Sequence, residues 1–457
     1  MIKDWKNKKV AILGLGVEGL SCIKFLSKNG ADITVLDRRN KEAIDNDIYD
    51  DAKDLGVKFT LGKDYLQKLS DFDVIFRSPG FQRNNSELLG AEKQGVTVTS
   101  LTKLFFDLCP CQIIGVTGTK GKGTTSSLIH EMLKESGRDA YLGGNIGTPP
   151  LDFLDQLNKD SIVVLELSSF QLQDMTKSPH IAVMLMTTSE HMDHHKDVSE
   201  YVDAKRNILR FQTASDFAIV NRDYPASNES DIYSEGKVFY VSRERSGVDG
   251  SFIRDGVLWM QKDGNEKKVI DVKDILLPGR HNLENAAAAS LAAHLAGAER
   301  EQVEDVLKSF RGLEHRLELV REVNGVKYYD DSFSTTPETA IAAIEAFTAP
   351  EILILGGSSK NSDFTELGKV ISDNKNIKAI IGIGDEWWEI KSKIKNQKSN
   401  ILMIEDAKDM RTVVLAASKI AQEGDVVLLS PACASFGMFK NYKDRGDQFK
   451  SGVLALA

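Results

Sequence analysis

Cysteine is scarce in this chain: Cys22, Cys109, Cys111 and Cys433 are the four among 457 residues. So few in so long a chain point to a reducing compartment. Two of them meet in Cys109-Pro110-Cys111, a spacing that matches no zinc framework. Basic residues are also in deficit, with 58 Lys and Arg against 67 Asp and Glu and a net charge of −9. Binding nucleic acid or an anionic membrane would require a basic face, so neither is expected as a partner. The lysine-rich run IKSKIKNQKS, Ile390 to Ser399, reads as a solvated helix face. No apolar run approaches membrane-spanning length. The opening MIKDWKNKKVAILGLGVEGL imitates a leader, but Glu18 and the glycines interrupt it and no small-residue cleavage site follows cleanly. The expectation is a cytoplasmic protein, without short-period repeats or low-complexity tracts.

What is present is a chain too long for one hydrophobic core. Its 41% apolar and 27% charged residues suit a globular protein of two to three domains. The first hundred residues alternate short apolar runs (VAILGLG, ITVLD, VKFTLG, DVIFRSPG, VTVTS) with helical patterns, which reads as a parallel, doubly wound α/β sheet. Gly14, Gly16 and Gly19 close the first strand and open a helix, and Asp37 ends the second, as in a dinucleotide fingerprint. The pattern stops near residue 100, after about one mononucleotide-binding half, and another phosphate loop follows directly. A nucleotide-like ligand other than a nicotinamide is therefore the favoured reading.

That second loop is GVTGTKGKGTT, Gly115 to Thr125, set between the strand Gln112–Val116 and a helix. Gly118 and Gly121 let backbone N–H groups approach an oxyanion, and Lys122 brings a cation to β- and γ-phosphates. Gly123 stands where such loops usually carry a hydroxyl ligand for Mg²⁺. Because Mg²⁺ keeps several waters, Thr124 or a water can serve instead. Further strands are expected at SIVVLELS, HIAVMLM, FAIVN and KVFYVS, and a helix at LENAAAASLAAHLAG. Glu166, at a strand end beside the loop, suits Mg²⁺. TTSEHMDHH gathers three of the eight histidines at another strand end, without a standard zinc spacing. Lys205 in YVDAKRN would, on its own, be a solvated lysine on a polar helix. Asn282 and Asn285 offer amides for a base or a loop, and Arg316 a guanidinium for a γ-phosphate across a cleft. A last α/β unit follows, with strands at KYYDDS, EILILGG, AIIGIG, NILMIE and VVLLSP. Asp331, Ser332, Thr335 and Lys360 give it groups suited to a small anionic substrate.

Taken in order, these segments resemble the Mur ligases of peptidoglycan synthesis over essentially the whole chain. The match includes the amino-terminal glycines, TGTKGK, NIG, LELSSFQL, HMD, the Lys205 segment, HN with Asn285, HR, DS and SPACAS followed by RG. LELSSFQL with SPACAS points to the glutamate-adding branch. The resemblance implies three domains: a Rossmann-like one over 1–103 for a UDP-linked substrate, a P-loop ATPase-type one over 104–312 for ATP, and a Rossmann-like one over 313–457 for the amino acid. It implies an ATP-dependent ligase that adds glutamate, the D isomer favoured, to UDP-N-acetylmuramoyl-L-alanine through an acyl phosphate. Closure of the third domain would assemble its site.

By position, the resemblance gives Gly14, Gly16, Val17, Glu18, Asp37, Arg38, Ser78, Gly80 and Asn145 to the UDP substrate. It gives Gly118, Thr119, Gly121, Lys122, Gly123, Thr124, Asn282, Asn285, Arg316 and Asp331 to ATP. Thr124, Glu166, His191 and Lys205 would face two Mg²⁺ sites, Lys205 as a carbamate. Lys122, Glu166, His191, Lys205 and Arg316 would be catalytic. Thr335, Lys360, Ser435 and Tyr442 would surround the glutamate. A monomer is implied. Two departures stand out: Gly123, and Phe333 where the branch commonly has lysine. Rival readings are a related ligase for L-glutamate or another amino acid, a folate polyglutamating enzyme, a nicotinamide oxidoreductase and a catalytically silent binding paralogue.

Overall fold

A computed structural model describes residues 4–188, 197–359, 362–394, 401–405, 407 and 409–456. The chain groups into two compact units, Met1–Val272 with Glu284–Val306, and Lys273–Leu283 with Leu307–Ala457.

The first unit carries two sheets. Strands β1 (Lys9–Leu13), β2 (Asp32–Asp37), β3 (Lys58–Leu61), β4 (Val74–Arg77) and β5 (Thr97–Thr99) lie in the order β3-β2-β1-β4-β5, all parallel. Strand order reverses at β1, so the loop after it, with Gly14, sits where open α/β sheets bind ligands. The second sheet has β6 (Gln112–Thr117), β7 (Ala140–Gly144), β8 (Ile162–Glu166), β9 (Ile181–Met184), β10 (Phe217–Asn221), β11 (Lys237–Ser242), β12 (Gly250–Arg254), β13 (Val257–Lys262) and β14 (Asn265–Asp271). Their order is β14-β13-β12-β11-β10-β9-β6-β8-β7. β6 is flanked by β9 and β8, both parallel to it.

Helices cover these strands, which is why IVVLE and IAVM are buried at every residue. Side-chain caps open several helices: Ser100 accepts from the Lys103 N–H before Leu101–Leu108, and Asp197 from the Glu200 N–H before Val198–Arg210. The alanine-rich segment forms the expected helix, Arg280–Leu295, with Ala286 to Ala289 fully buried. One continuous apolar core joins both sheets, running from Val10 and Ile23 through Phe105 and Phe153 to Val163 and Ile208.

The second unit has one sheet: β15 (Glu318–Val323), β16 (Val326–Asp330), β17 (Glu351–Gly356), β18 (Ile377–Ile383), β19 (Leu402–Ile404) and β20 (Val426–Leu429), in the order β15-β16-β20-β17-β18-β19. Only β15 runs antiparallel to its neighbour among these strands. The helix Trp387–Lys393 carries the start of the lysine-rich run, with Lys391 paired to Glu405.

Strands β7, β12, β13, β14 and β15 were not expected from the apolar runs. Three hairpins account for most of them, at Asp255-Gly256, Asp263-Gly264 and Asn324-Gly325, and all six residues have positive φ. Such Asp-Gly and Asn-Gly pairs favour the tight turn whose twist matches antiparallel strands. The polar run NEKKVID of β14 has four exposed residues at its start, which hid it from a search for apolar stretches.

β17 opens on a buried acid. Glu351 is fully inaccessible, and neither carboxylate oxygen has a hydrogen-bond partner. Burial pushes its carboxyl up to about 8, against a weaker pull from the Asn374 amide. A carboxyl raised in the folded state gives stability that is complete below its unfolded value, near 4.5, and lost as pH rises through about 8. Glu351→Gln cannot ionise, so its stability advantage should widen between pH 5 and 8, reaching about 3 kcal/mol near pH 7. Urea unfolding of both proteins across that range checks this; parallel pH profiles would rule it out.

Candidate active site

The phosphate loop leaves the carboxyl end of β6 and enters the helix Lys122–Glu135. Gly121 caps that helix with φ +88°, a conformation natural to glycine. A Cβ there would lie 2.2 Å from Asn285 Oδ1, so the loop and this amide are in close contact. Asn285 Oδ1 also accepts from Thr125 Oγ1 at 3.3 Å. The Lys122 ammonium donates to the carbonyls of Gly118 (3.1 Å) and Thr119 (2.9 Å). Thr119 is tied on three sides: its N–H to Met186 O, its hydroxyl to the Thr188 backbone, and the same hydroxyl to Tyr201 OH at 3.1 Å. Gly123 lies within the first helical turn without a positive φ, and Thr124 beside it is buried.

Lys205 overturns the expectation of a solvated residue. Its side chain is 1% exposed. Nζ donates to Gly118 O at 2.8 Å and lies 4.6 Å from the centre of the Tyr201 ring. Tyr201 and Lys205 are four residues apart on Val198–Arg210, so both turn inward from one face. The spacing was readable, but a charged helix gave no sign of which face is covered.

Glu166 ends β8 beside Val116 of β6 and is 4% exposed. Asn145 Nδ2 donates to its Oε1 at 2.8 Å, and the Asn145 N–H to its backbone carbonyl. Loop, Lys122, Thr124, Glu166, Lys205, Asn145 and Asn285 thus gather about the carboxyl ends of β6 and β8. The oxygens of Glu166 and Thr124 are hard ligands of the kind Mg²⁺ prefers, and a helix N-terminus with an adjacent lysine suits phosphate. His191 lies outside the described residues.

At the first sheet, Gly14 has φ +93°, and a Cβ on it would be 2.8 Å from Ser78 Oγ. Asp37 is buried and accepts from Leu15 N–H and from both Nε and Nη2 of Arg39. Burial raises its carboxyl, but these donors outweigh it and hold it below the usual carboxylate range. Arg39, not the exposed Arg38, is therefore the partner of Asp37. Gly16, Val17 and Gly80 are exposed. Glu18 is pushed up to about 7 by burial, against a hydrogen bond from Gln171 (2.9 Å) and the field of Arg77. Arg77, 2% exposed, bonds the carbonyls of Phe81 and Phe170 and pairs with Asp174 at 3.4 Å.

In the second unit, the Arg316 guanidinium stacks 4.6 Å from the Phe333 ring, which meets Tyr442 edge-on at 5.2 Å. Asp331 is buried; its carboxyl is pushed up to about 7 by that burial, against donors from Ser334, Ser430 and Leu317 N–H and the nearby Arg316. Arg445, which sequence reasoning missed, is fully buried and bridges Ser332 to the carbonyls of Cys433 and Ala434. Its signal was the RG of the closing motif. Ser435 is buried and Thr335 half-buried. Asn282 donates to Pro278 O at 2.5 Å. Lys360 lies outside the described residues.

Three family profiles match the chain: the Mur ligase MurD-like N-terminal domain at 8–100, the Mur ligase middle domain at 116–293, and the Mur ligase glutamate ligase domain at 315–433. The chain is 40% identical to the UDP-N-acetylmuramoylalanine–D-glutamate ligase of Acetivibrio thermocellus, covering 99% of this chain and 98% of the relative. It is 38% identical to the enzyme of that name from Clostridium tetani, over 98% of this chain and 97% of the relative. Among solved structures it is similar to the MurF ligase of Thermotoga maritima in complex with ADP, with TM-score 0.57 and 18% identity over 100% and 97% of the two chains. A ligase from Acinetobacter baumannii that joins D-alanyl-D-alanine gives TM-score 0.59 and 15% identity over 98% and 93%. These structural likenesses support the three-domain fold.

The loop makes opposite predictions for its two inner glycines. Gly121→Ala forces a side chain into a left-handed residue against Asn285, and should cost more than about 1 kcal/mol and weaken nucleotide binding. Gly123→Ser, on helical backbone, should change stability by less than about 0.5 kcal/mol and leave binding intact. Thermal unfolding and ADP titration of both variants decide; equal damage from each would show a different loop path.

Proposed function

Because the chain belongs to the Mur ligase family, we propose that it joins D-glutamate to UDP-N-acetylmuramoyl-L-alanine with ATP, forming one amide bond of a peptidoglycan precursor. The observation that carries this reading is the convergence of the phosphate loop, Glu166 and the buried Lys205 at neighbouring strand ends, in a chain alike to D-glutamate ligases from end to end. We assign three domains with limits near residues 103 and 312.

In this reading the alanyl carboxylate attacks the γ-phosphorus of ATP and expels ADP; the deprotonated glutamate amine then attacks the acyl carbon, expels phosphate and loses a proton as the amide forms. Backbone N–H groups of residues 119–123 receive the phosphates, and Lys122 leaves its carbonyl partners to neutralise them. Arg316 adds a second cation to the transferred group, its guanidinium stacked on Phe333. Glu166 and Thr124 would hold Mg²⁺, which would supply charge neutralisation on the phosphate oxygens. His191 and Lys205 would hold a second Mg²⁺. Gly14, Gly16, Val17, Glu18, Asp37, Arg38, Ser78, Gly80 and Asn145 hold the UDP substrate, with Arg39 fixing Asp37. Asn282, Asn285 and Asp331 serve ATP; Thr335, Lys360, Ser435 and Tyr442 serve glutamate.

Lys205 acts as a carbamate: its ammonium gives up one proton, and the free amine then adds CO₂ and releases a second, so a buried cation becomes an anion with carboxylate-like oxygens. An ammonium beside Mg²⁺ would be repelled.

Phosphate release in the presence of ATP and Mg²⁺ should require both UDP-N-acetylmuramoyl-L-alanine and D-glutamate, with L-glutamate and aspartate poor. Release without the muramoyl substrate, or faster with L-glutamate, would contradict the assignment. Lys122→Ala should lower turnover at least ~100-fold, since Lys120, the other cation of the loop, is turned out to solvent. Lys205→Arg should fall by a similar factor although charge is kept, because a guanidinium forms no carbamate. A Lys205→Arg enzyme of near-normal rate would make Lys205 a structural clamp on Gly118.

A further inference from the structure

Between the helix Leu101–Leu108 and β6 lies a turn that the reaction does not use. In it Cys109 Sγ sits 3.5 Å from Cys111 Sγ and 3.6 Å from the Cys111 carbonyl oxygen. Both residues are partly exposed, with exposed Pro110 between them. Cys22 and Cys433, by contrast, are each 2% exposed. The two accessible thiols of the chain therefore face one another.

We propose that Cys109 and Cys111 form a reversible dithiol–disulfide site, oxidised by low-molecular-weight disulfides of the glutathione class. The thiolate is the attacking species in such exchange, and a neighbouring S–H donor favours it. Contact with Cys111 holds the Cys109 thiol below its usual range, outweighing burial, while the same contact holds Cys111 above it. In this proposal Cys109 is the attacking sulfur. It bonds to one sulfur of the small disulfide, whose S–S bond breaks and whose other half leaves as a thiolate. Capping Cys109 removes the neighbour that kept Cys111 protonated. Cys111 then loses its proton to solvent and attacks Cys109 Sγ, expelling the second small thiolate. Two protein thiols are oxidised, and one small disulfide is reduced to two thiols.

The sulfurs must close to about 2 Å to bond, a shift that side-chain rotation can supply because they already point at each other. A ring spanning a single intervening residue is strained, which makes such a bond easy to reduce again. Cysteine pairs of this kind serve as sensors rather than staples.

The test treats the full chain with oxidised glutathione near pH 8, quenches with acid, alkylates free thiols and maps peptides by mass. The peptide holding Cys109 and Cys111 should lose two hydrogens, regain them with dithiothreitol, and leave Cys22 and Cys433 alkylated as in the untreated protein. Cys111→Ser should stop at one glutathionyl group on Cys109, the trapped intermediate. Cys109→Ala should accumulate adduct at least ~10-fold more slowly, since Cys111 then lacks the donor that favours its thiolate. A wild-type protein that collects glutathione on either cysteine without closing the ring would overturn the proposal. Oxidation of Cys22 or Cys433 at the same rate would overturn it equally.

Discussion

The carbonyl of Gly118 is the point on which the centre of this molecule turns. It receives both the Lys122 ammonium from the loop's own helix and the buried Lys205 ammonium from Val198–Arg210. A lysine buried to this degree is costly unless its charge is met, and the loop carbonyl with the face of Tyr201 meets it here. The same helix sends Tyr201 OH to Thr119, so one helix face braces two successive residues of the phosphate loop. Thr117 completes the support by donating to Leu167 O from the neighbouring strand end. A phosphate site needs its N–H groups aimed before the ligand arrives, and this bracing supplies the aim.

A second set of buried polar contacts joins the first two sheets of the same unit. Gln171, just past Glu166 and β8, donates to Glu18 in the first turn of the helix Val17–Lys28, while Arg77 at the end of β4 pairs with Asp174. Removing one partner of such a pair leaves an uncompensated buried charge, which costs more than the pair contributes. These contacts, with the shared apolar core, explain why two sheets form one compact unit. They also tie the residues assigned to the UDP substrate to the segment that carries Glu166.

How much of this was legible in the sequence depends on how local its cause is. The phosphate loop was legible because Gly121 answers a backbone demand and Lys122 follows it at a set distance. The parallel sheets were legible because strands covered on both faces read as continuous apolar runs. Burial of Lys205 was not, since it comes from which face of a polar helix the sheet covers. The pairing of Arg39 with Asp37 was not legible, because a contact between residues two apart past a strand end depends on how the chain turns there. The hairpins of β12, β13 and β14 were written in two Asp-Gly pairs and missed because the search followed apolar runs alone. Arg445 was hidden differently: a buried arginine satisfied by carbonyls has no partner to find in the sequence.

In the function proposed, the loop after β6 is a nucleotide phosphate site whose metal ligands include Glu166 and a carbamylated Lys205. A crystal structure of the protein grown with ADP, Mg²⁺ and bicarbonate tests it most directly. The account predicts phosphate oxygens on the N–H groups of residues 119–123, Lys122 Nζ turned from Gly118 O onto the β-phosphate, and Mg²⁺ on Glu166. It also predicts carboxylate-shaped density on Lys205 Nζ. Nucleotide bound away from this loop, or Lys205 left as a bare ammonium on Gly118 O beside a bound metal, would contradict it.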